Sequence, residues 1–180
     1  GGTLTMNRCL VANNAVIATA TGRAGGVCST YGGTSSFTSC TFSGNSVNGG
    51  MGGSGGGLAI LGNNCVMNNC TIVGNTANTS AGGLYWDDNG TATMTVRNTI
   101  IAGNSGGGNC AYTFGPLGSG GSNLESADDC NFHAAGDLIN QAANLGALAN
   151  NGGPTDTHMP AANSPAIDAG SLSTCGGTDQ

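Results

Sequence analysis

Ser39-Cys40-Thr41-Phe42-Ser43-Gly44-Asn45 and Asn69-Cys70-Thr71-Ile72-Val73-Gly74-Asn75 are one seven-residue pattern written twice, 30 residues apart. The same pattern stands in Arg8-Cys9-Leu10-Val11-Ala12-Asn13-Asn14 and in Asn98-Thr99-Ile100-Ile101-Ala102-Gly103-Asn104. Its closing asparagines, Asn14, Asn45, Asn75 and Asn104, therefore recur at intervals of 31, 30 and 29 residues. Self-similarity at this period marks units that cannot bury an apolar face alone and so stack on one another.

Alignment on the asparagines extends the match. Three residues before each stand Val11, Phe42, Ile72 and Ile101, and eight before stand Met6, Phe37, Met67 and Val96. Both columns are apolar and are expected to point inward. Five before, the column reads Cys9, Cys40, Cys70, Thr99. The columns seven before (Asn7, Thr38, Asn68, Arg97) and six before (Arg8, Ser39, Asn69, Asn98) are polar, which fits a corner facing water. Immediately before each asparagine stand Asn13, Gly44, Gly74 and Gly103, residue types that tolerate positive φ where a strand turns sharply. Each unit thus reads as strand, corner, strand, turn.

Stacked in parallel, equivalent residues lie roughly 4.8 Å apart, so each asparagine amide can donate to the carbonyl of the next, at about 0.5 to 1.5 kcal/mol net per bond. The expected fold is all-β, a right-handed parallel β-helix of about four rungs with asparagine and cysteine/aliphatic internal stacks. Residues 1–108 are expected to form the rungs, starting in mid-rung. Residues 109–180 lose the period and are expected to form an irregular, loop-rich cap of the same domain, folded over the last rung.

Charged residues make up 7% of the chain and the formal charge is -6, with Arg8, Arg23 and Arg97 as its cations and no lysine. Such a balance disfavours nucleic acid and anionic membranes as partners. No run of 18 apolar residues suggests a membrane span. The polar bulk is Asn, Ser and Thr held in register, which a solenoid uses and a disordered tail does not.

Eight cysteines suit an oxidising, extracellular or cell-surface compartment better than a reducing cytosol. Cys110 and Cys130 bracket a Gly-rich loop outside the repeats and are the expected disulfide. Cys28, Cys65 and Cys175 have no evident partner. The stack of Cys9, Cys40 and Cys70 lies within disulfide range from rung to rung, yet free cysteine is also a good small core residue, and packing is the preferred reading. With no Cys-x-x-Cys pair and with His133 and His158 far along the chain, a metal centre is not expected there.

Glycine-rich loops at residues 23–26 and 48–57 should lie on one side of the coil, each followed by a strand that opens on Gly-Gly: Gly25-Gly26-Val27, Gly56-Gly57-Leu58, and again Gly82-Gly83-Leu84. Asp87-Asp88-Asn89-Gly90 reads as a tight turn. Calcium held by Asp87 and Asp88 is the sharper alternative, and no other cofactor is expected.

The tail carries Asn151-Gly152-Gly153-Pro154-Thr155, Ser164-Pro165-Ala166-Ile167-Asp168-Ala169-Gly170, and Cys175 followed by Asp179-Gln180. These residues resemble the choice-of-anchor Q domain, a group of secreted bacterial β-helix proteins. Gly56-Gly57-Leu58-Ala59-Ile60 and Phe42-Ser43-Gly44-Asn45 are also similar to the repeats of polymorphic outer-membrane proteins, which are adhesins and autotransporter passengers. The resemblance implies export and surface display, and it assigns no catalytic residue. Members usually continue past Asp179-Gln180 with Arg-Gly and an anchor, so the mode of attachment lies beyond this sequence. In plain physical terms, Gly152-Gly153-Pro154 should fix a turn, Pro165 should end an extended segment, Ile167 should plug the core and Asp168 should hold loop amides.

A parallel β-helix can also host polysaccharide lyases and hydrolases. A lyase needs a base beside carboxylates, but lysine is absent and Arg8 and Arg97 stand three rungs apart. A hydrolase needs two carboxylates about 5 to 10 Å apart, and the sequence pairs, Asp87 with Asp88 and Asp128 with Asp129, are neighbours that point apart in extended chain. An ice-binding or carbohydrate-binding surface would use the columns Thr3, Thr34, Asn64, Thr93 and Thr5, Ser36, Val66, Thr95, which Asn64 and Val66 interrupt. The preferred expectation is a non-enzymatic structural or adhesive protein. Its open first rung should meet further rungs of a longer precursor or a second copy in a head-to-tail filament, with surface glycans as a further class of partner.

Overall fold

The computed structural model describes residues 1–49 and 51–171, and its regular structure is all β. Cys175, Asp179 and Gln180 lie outside the described residues.

The chain forms a parallel β-solenoid of about four turns. Its first face stacks Thr3–Asn7, Thr34–Thr38, Asn64–Asn68, Met94–Arg97 and Gly118–Ser119. The second stacks Leu10–Ala12, Thr41–Ser43, Thr71–Val73, Ile100–Ala102 and Leu124–Glu125. A third, Ala15–Ala18, Ser46–Gly49 and Thr76–Ala77, follows the asparagine turn. The Gly-Gly strands make a further face of Val27–Ser29, Leu58–Leu61, Leu84–Asp87 and Cys110–Thr113. The glycine-rich loops between these last two faces are themselves stacked, through Gly22–Arg23 on Gly53–Ser54 and a bridge from Ser54 to Ser80.

Register follows the sequence columns. Met6, Phe37, Met67 and Val96 pair in line, as do Val11, Phe42, Ile72 and Ile101. Alternation on the first face sets one side inward, as in the exposed-buried rhythm of Asn64–Asn68. Phe37, Phe42, Leu58, Ile60, Met67, Ile72, Leu84, Trp86, Val96 and Ile101 fill one continuous core. Phe37 meets Phe42 edge to face, ring centres 5.7 Å apart, an arrangement the aromatic quadrupole favours.

Two left-handed residues bend each rung. Asn13, Gly44, Gly74 and Gly103 have φ of 57 to 65°, as expected from their types, and Arg8, Ser39, Asn69 and Asn98 have φ of 46 to 54°. The second set forms the polar corner, where Asn7, Arg8 and Arg97 are exposed while Ser39 is buried, and the bend aims peptide N–H groups at the next rung, from Arg8 to the Thr38 carbonyl and from Ser39 to the Asn68 carbonyl, both 3.0 Å.

The coil does not stop at residue 108. Cys110–Thr113, Gly118–Ser119 and Leu124–Glu125 extend three faces by one shorter rung, and Leu138 adds a parallel bridge on Leu124. Nor does the tail simply cover the end. Leu138, Leu145 and Ala166 pack with Ala102, Leu124, Ile100 and Val73 on the outside of the second face. The antiparallel pair Leu145–Ala149 and Thr157–Pro160 continues down that side until His158 reaches Ser43. His158 Nδ1–H donates to the Gly146 carbonyl at 2.7 Å, and Nε2 lies 2.9 Å from the Ser43 hydroxyl, within hydrogen-bond distance. Ile167 is 47% exposed, and the neighbouring Ala166 packs in the place expected of it.

Candidate functional site: two hydrogen-bond ladders and their acidic end

The turn asparagines form one directed chain of hydrogen bonds. Each asparagine donates both its backbone N–H and its Nδ2–H to the Oδ1 of the next. The distances are 3.1 and 2.9 Å from Asn14 to Asn45, 2.9 and 3.0 Å from Asn45 to Asn75, and 2.9 and 2.9 Å from Asn75 to Asn104. The other Nδ2–H reaches back to a carbonyl of the rung before, Val11 from Asn45, Phe42 from Asn75 and Ile72 from Asn104, at 2.9 to 3.0 Å. Asn45 and Asn75 are fully buried, where an unpaired amide would cost about 1 to 3 kcal/mol.

The Gly-Gly strands exist because of this chain. A Cβ on Gly57 would stand 3.1 Å from the Asn75 amide carbon and 2.8 Å from the Gly83 carbonyl, and one on Gly83 would stand 2.9 Å from Asn104 Nδ2. Only a residue without a side chain lets that backbone lie against the stacked amides.

Two further members were not legible as repeats. Asn104 donates to Asn109 Oδ1 at 3.2 and 3.0 Å, and the Asn109 backbone N–H ends the chain on Asp129 Oδ2 at 2.9 Å. A carboxylate only accepts, so it is a natural terminus for a ladder that donates in one direction.

A second ladder runs through the cysteine column. Cys9, Cys40 and Cys70 each direct Sγ–H to the carbonyl two residues earlier, at 3.2 to 3.3 Å, and Thr99 Oγ1 does the same to Arg97 at 2.7 Å. From Cys70 onward the N–H groups bond along the column, to Thr99 Oγ1 at 3.3 Å and from Thr99 to Asn123 Oδ1 at 3.1 Å. Asn123 then gives both its backbone N–H and Nδ2–H to Asp137 Oδ1, at 2.9 and 3.0 Å. This ladder also ends on an aspartate. The three thiols are free.

Beside the first terminus lies the expected disulfide, Cys110–Cys130, with Cα atoms 4.9 Å apart. Next to it Glu125 is completely buried and accepts the N–H groups of Asp129 at 3.0 Å and Cys130 at 3.2 Å. Burial first, and then its side-chain contact with Asp129, push the Glu125 carboxyl up to about 8. Asp129 Oδ1 is buried without a partner, beside the raised Glu125 carboxyl. The carboxylates of Glu125 and Asp129 and the sulfur of Cys130 lie within 4.8 Å of one another, but that sulfur is bonded to Cys110, which leaves two carboxyl groups as donors. Asp128, whose side chain was expected to point away from that of Asp129, is exposed. Glu125 was missed because nothing in its neighbourhood repeats.

The remaining candidates lie apart. Asp87 and Asp88 close a local turn, accepting from Asn89 N–H at 3.3 Å and Gly90 N–H at 2.9 Å. Arg8 and Arg97 stand on the first and fourth rungs. The threonine columns do face outward in register, with Val66 44% exposed among them and lateral bonds between Thr34 and Thr3 and between Thr93 and Asn64. In the tail, Asn151 binds the Thr157 carbonyl at 2.9 Å and Gly152 turns at φ 96°, ahead of Gly153 and Pro154. Ser164, just before Pro165, is buried with its hydroxyl on the Ala143 carbonyl, while Asp168 is exposed with φ 57°.

No family model, no curated protein and no solved structure matches the chain.

Proposed function

We propose that the chain is a non-enzymatic, extracellular or cell-surface β-solenoid that serves as a structural or adhesive rod. The observation that carries this reading is the use of its polar interior: the asparagine, cysteine, threonine and acidic side chains are spent on two axial ladders rather than on a cleft. Glu125 and Asp129, the closest carboxyl pair noted above, are engaged with backbone N–H groups, and Glu125 has no exposed surface for a sugar to reach. The Cys110–Cys130 disulfide supports an oxidising compartment, and the likeness of the tail to choice-of-anchor Q domains supports surface display.

A rod of this kind associates along its axis. The strands Thr3–Asn7, Leu10–Ala12, Ala15–Ala18 and Val27–Ser29 each pair on one side only among the described residues, and an unpaired parallel edge is a template for another strand. In the asparagine column Asn14 Oδ1 takes no donor from a preceding asparagine among the described residues, while its backbone carbonyl accepts from Ser46 on the next rung. The fitting partner is a parallel rung with an amide donor in the same column, from a second copy or from further rungs, while the outward threonine columns are the surface offered to glycans. Light scattering and negative-stain microscopy across a concentration series test the axial association: a persistent monodisperse monomer refutes it. Clear turnover of acidic or neutral polysaccharides, seen as new unsaturated or reducing ends, would replace the rod by the enzyme reading.

A further inference from the structure

The thiol column holds an unused chemistry. Cys9, Cys40 and Cys70 follow one another on three rungs, and the N–H groups of Thr41 and Thr71 bond to the Cys9 and Cys40 carbonyls at 2.9 Å. Their Cα atoms are therefore one strand spacing apart, roughly 4.8 Å, inside the range a disulfide spans. The fold already bridges such a separation, since Cys110 and Cys130 are joined with Cα atoms 4.9 Å apart. While no further rung covers the first, access is graded along the column: Cys9 is half-buried, whereas Cys40 and Cys70 are 0% and 1% exposed.

We infer that this column is a thiol–disulfide exchange site, in which Cys9 takes up a small aliphatic disulfide from solvent and Cys40 resolves it into an internal bridge. The Cys9 sulfur attacks one sulfur of the reagent, the reagent's S–S bond breaks, and one thiol leaves with the Cys9 proton. The Cys40 sulfur then attacks the Cys9 sulfur, the second small thiol leaves, and a Cys9–Cys40 bond forms. Two cysteines are oxidised and one external disulfide is reduced to two thiols, so atoms and electrons balance. Cys70 can then attack Cys40, moving the bridge one rung inward and returning Cys9 as a thiol with no net oxidation. The Cys70 side chain beside it lowers the Cys40 thiol, whereas burial first, with Cys40 beside it, raises Cys70. Exchange proceeds through thiolates.

Cys40→Ser separates uptake from resolution, and the fold accommodates a hydroxyl there because Thr99 fills the same column and makes the same backward bond. The full chain is incubated with glutathione disulfide, free thiols are alkylated, and intact mass and linked peptides are read over time. The wild-type chain should lose two hydrogens and yield Cys9–Cys40 or Cys40–Cys70 peptides. Cys40→Ser should hold glutathione on Cys9 at least about tenfold longer, and Cys70→Ser should yield only the Cys9–Cys40 link. Equal persistence of the Cys9 adduct in wild type and Cys40→Ser, or reaction confined to the exposed Cys28, overturns the inference.

Discussion

Replacing Glu125 by glutamine keeps the Oε1 acceptor of the Asp129 and Cys130 N–H groups, gives up the second Cys130 contact at 3.2 Å to Oε2, and removes one titration. In the native chain Glu125 accepts from the Asp129 and Cys130 N–H groups, and its carboxyl lies within 4.8 Å of that of Asp129, whose Oδ1 is buried without a partner. Glutamine offers the same acceptor and an N–H in place of Oε2. The carboxyl rises from 4.5 to about 8 on folding, so the folded state holds a proton that the unfolded state has lost. A raised pKa contributes stability that is full below pH 4.5 and lost as pH climbs through about 8. At about 1.4 kcal/mol per unit, that window holds at most about 5 kcal/mol. Urea unfolding of the two proteins at pH 5 and pH 9 measures it. They should agree within about 1 kcal/mol at pH 5, and the glutamine variant should be the more stable by about 2 to 5 kcal/mol at pH 9. Every other group titrates in both proteins and cancels. Parallel stability profiles from pH 5 to pH 9 would show that Glu125 carries no proton in the folded chain, and the reasoning would fail.

Asn75→Ala should cost about 3 to 5 kcal/mol, since it strands the buried Asn45 donors and the Phe42 carbonyl, whereas Asn14→Ala at the exposed edge should cost under about 1 kcal/mol; thermal melts compare them. Gly83→Ala places a methyl group 2.9 Å from Asn104 Nδ2 and should destabilise by about 1 to 3 kcal/mol, while Gly2→Ala, with nothing within 4 Å, should leave the melting temperature unchanged. Replacing both Cys110 and Cys130 by alanine opens a loop with a sequence separation of 20 and should lower the unfolding free energy by about 3 kcal/mol in urea titrations.

The part of the ladder that could be read from sequence is the part with constant rung length. Asn14, Asn45, Asn75 and Asn104 are found because each rung between them has 29 to 31 residues. Asn109 continues the same ladder only five residues after Asn104, from the column that Gly57 and Gly83 hold in the rungs before it, so no spacing of turn asparagines reaches it. Asn123 escaped the cysteine column because its rung is shorter, coming 24 residues after Thr99. The Cys110–Cys130 bridge was legible from its position outside the repeats. Glu125 was not, since a buried carboxyl is made by what closes over it.

The sequence by itself determined the stack, its parallel register and the inward columns, because each rung repeats the same burial problem and solves it with the same residue types. Tertiary structure alone decided how the stack ends. The termination of both ladders on Asp129 and Asp137, the burial of Glu125 beside Asp129, and the return of the tail along the second face to Ser43 depend on groups brought together once. An asparagine ladder donates in a single direction, so the first acceptor-only group that the fold carries beneath it ends it, and no local pattern announces which residue that is.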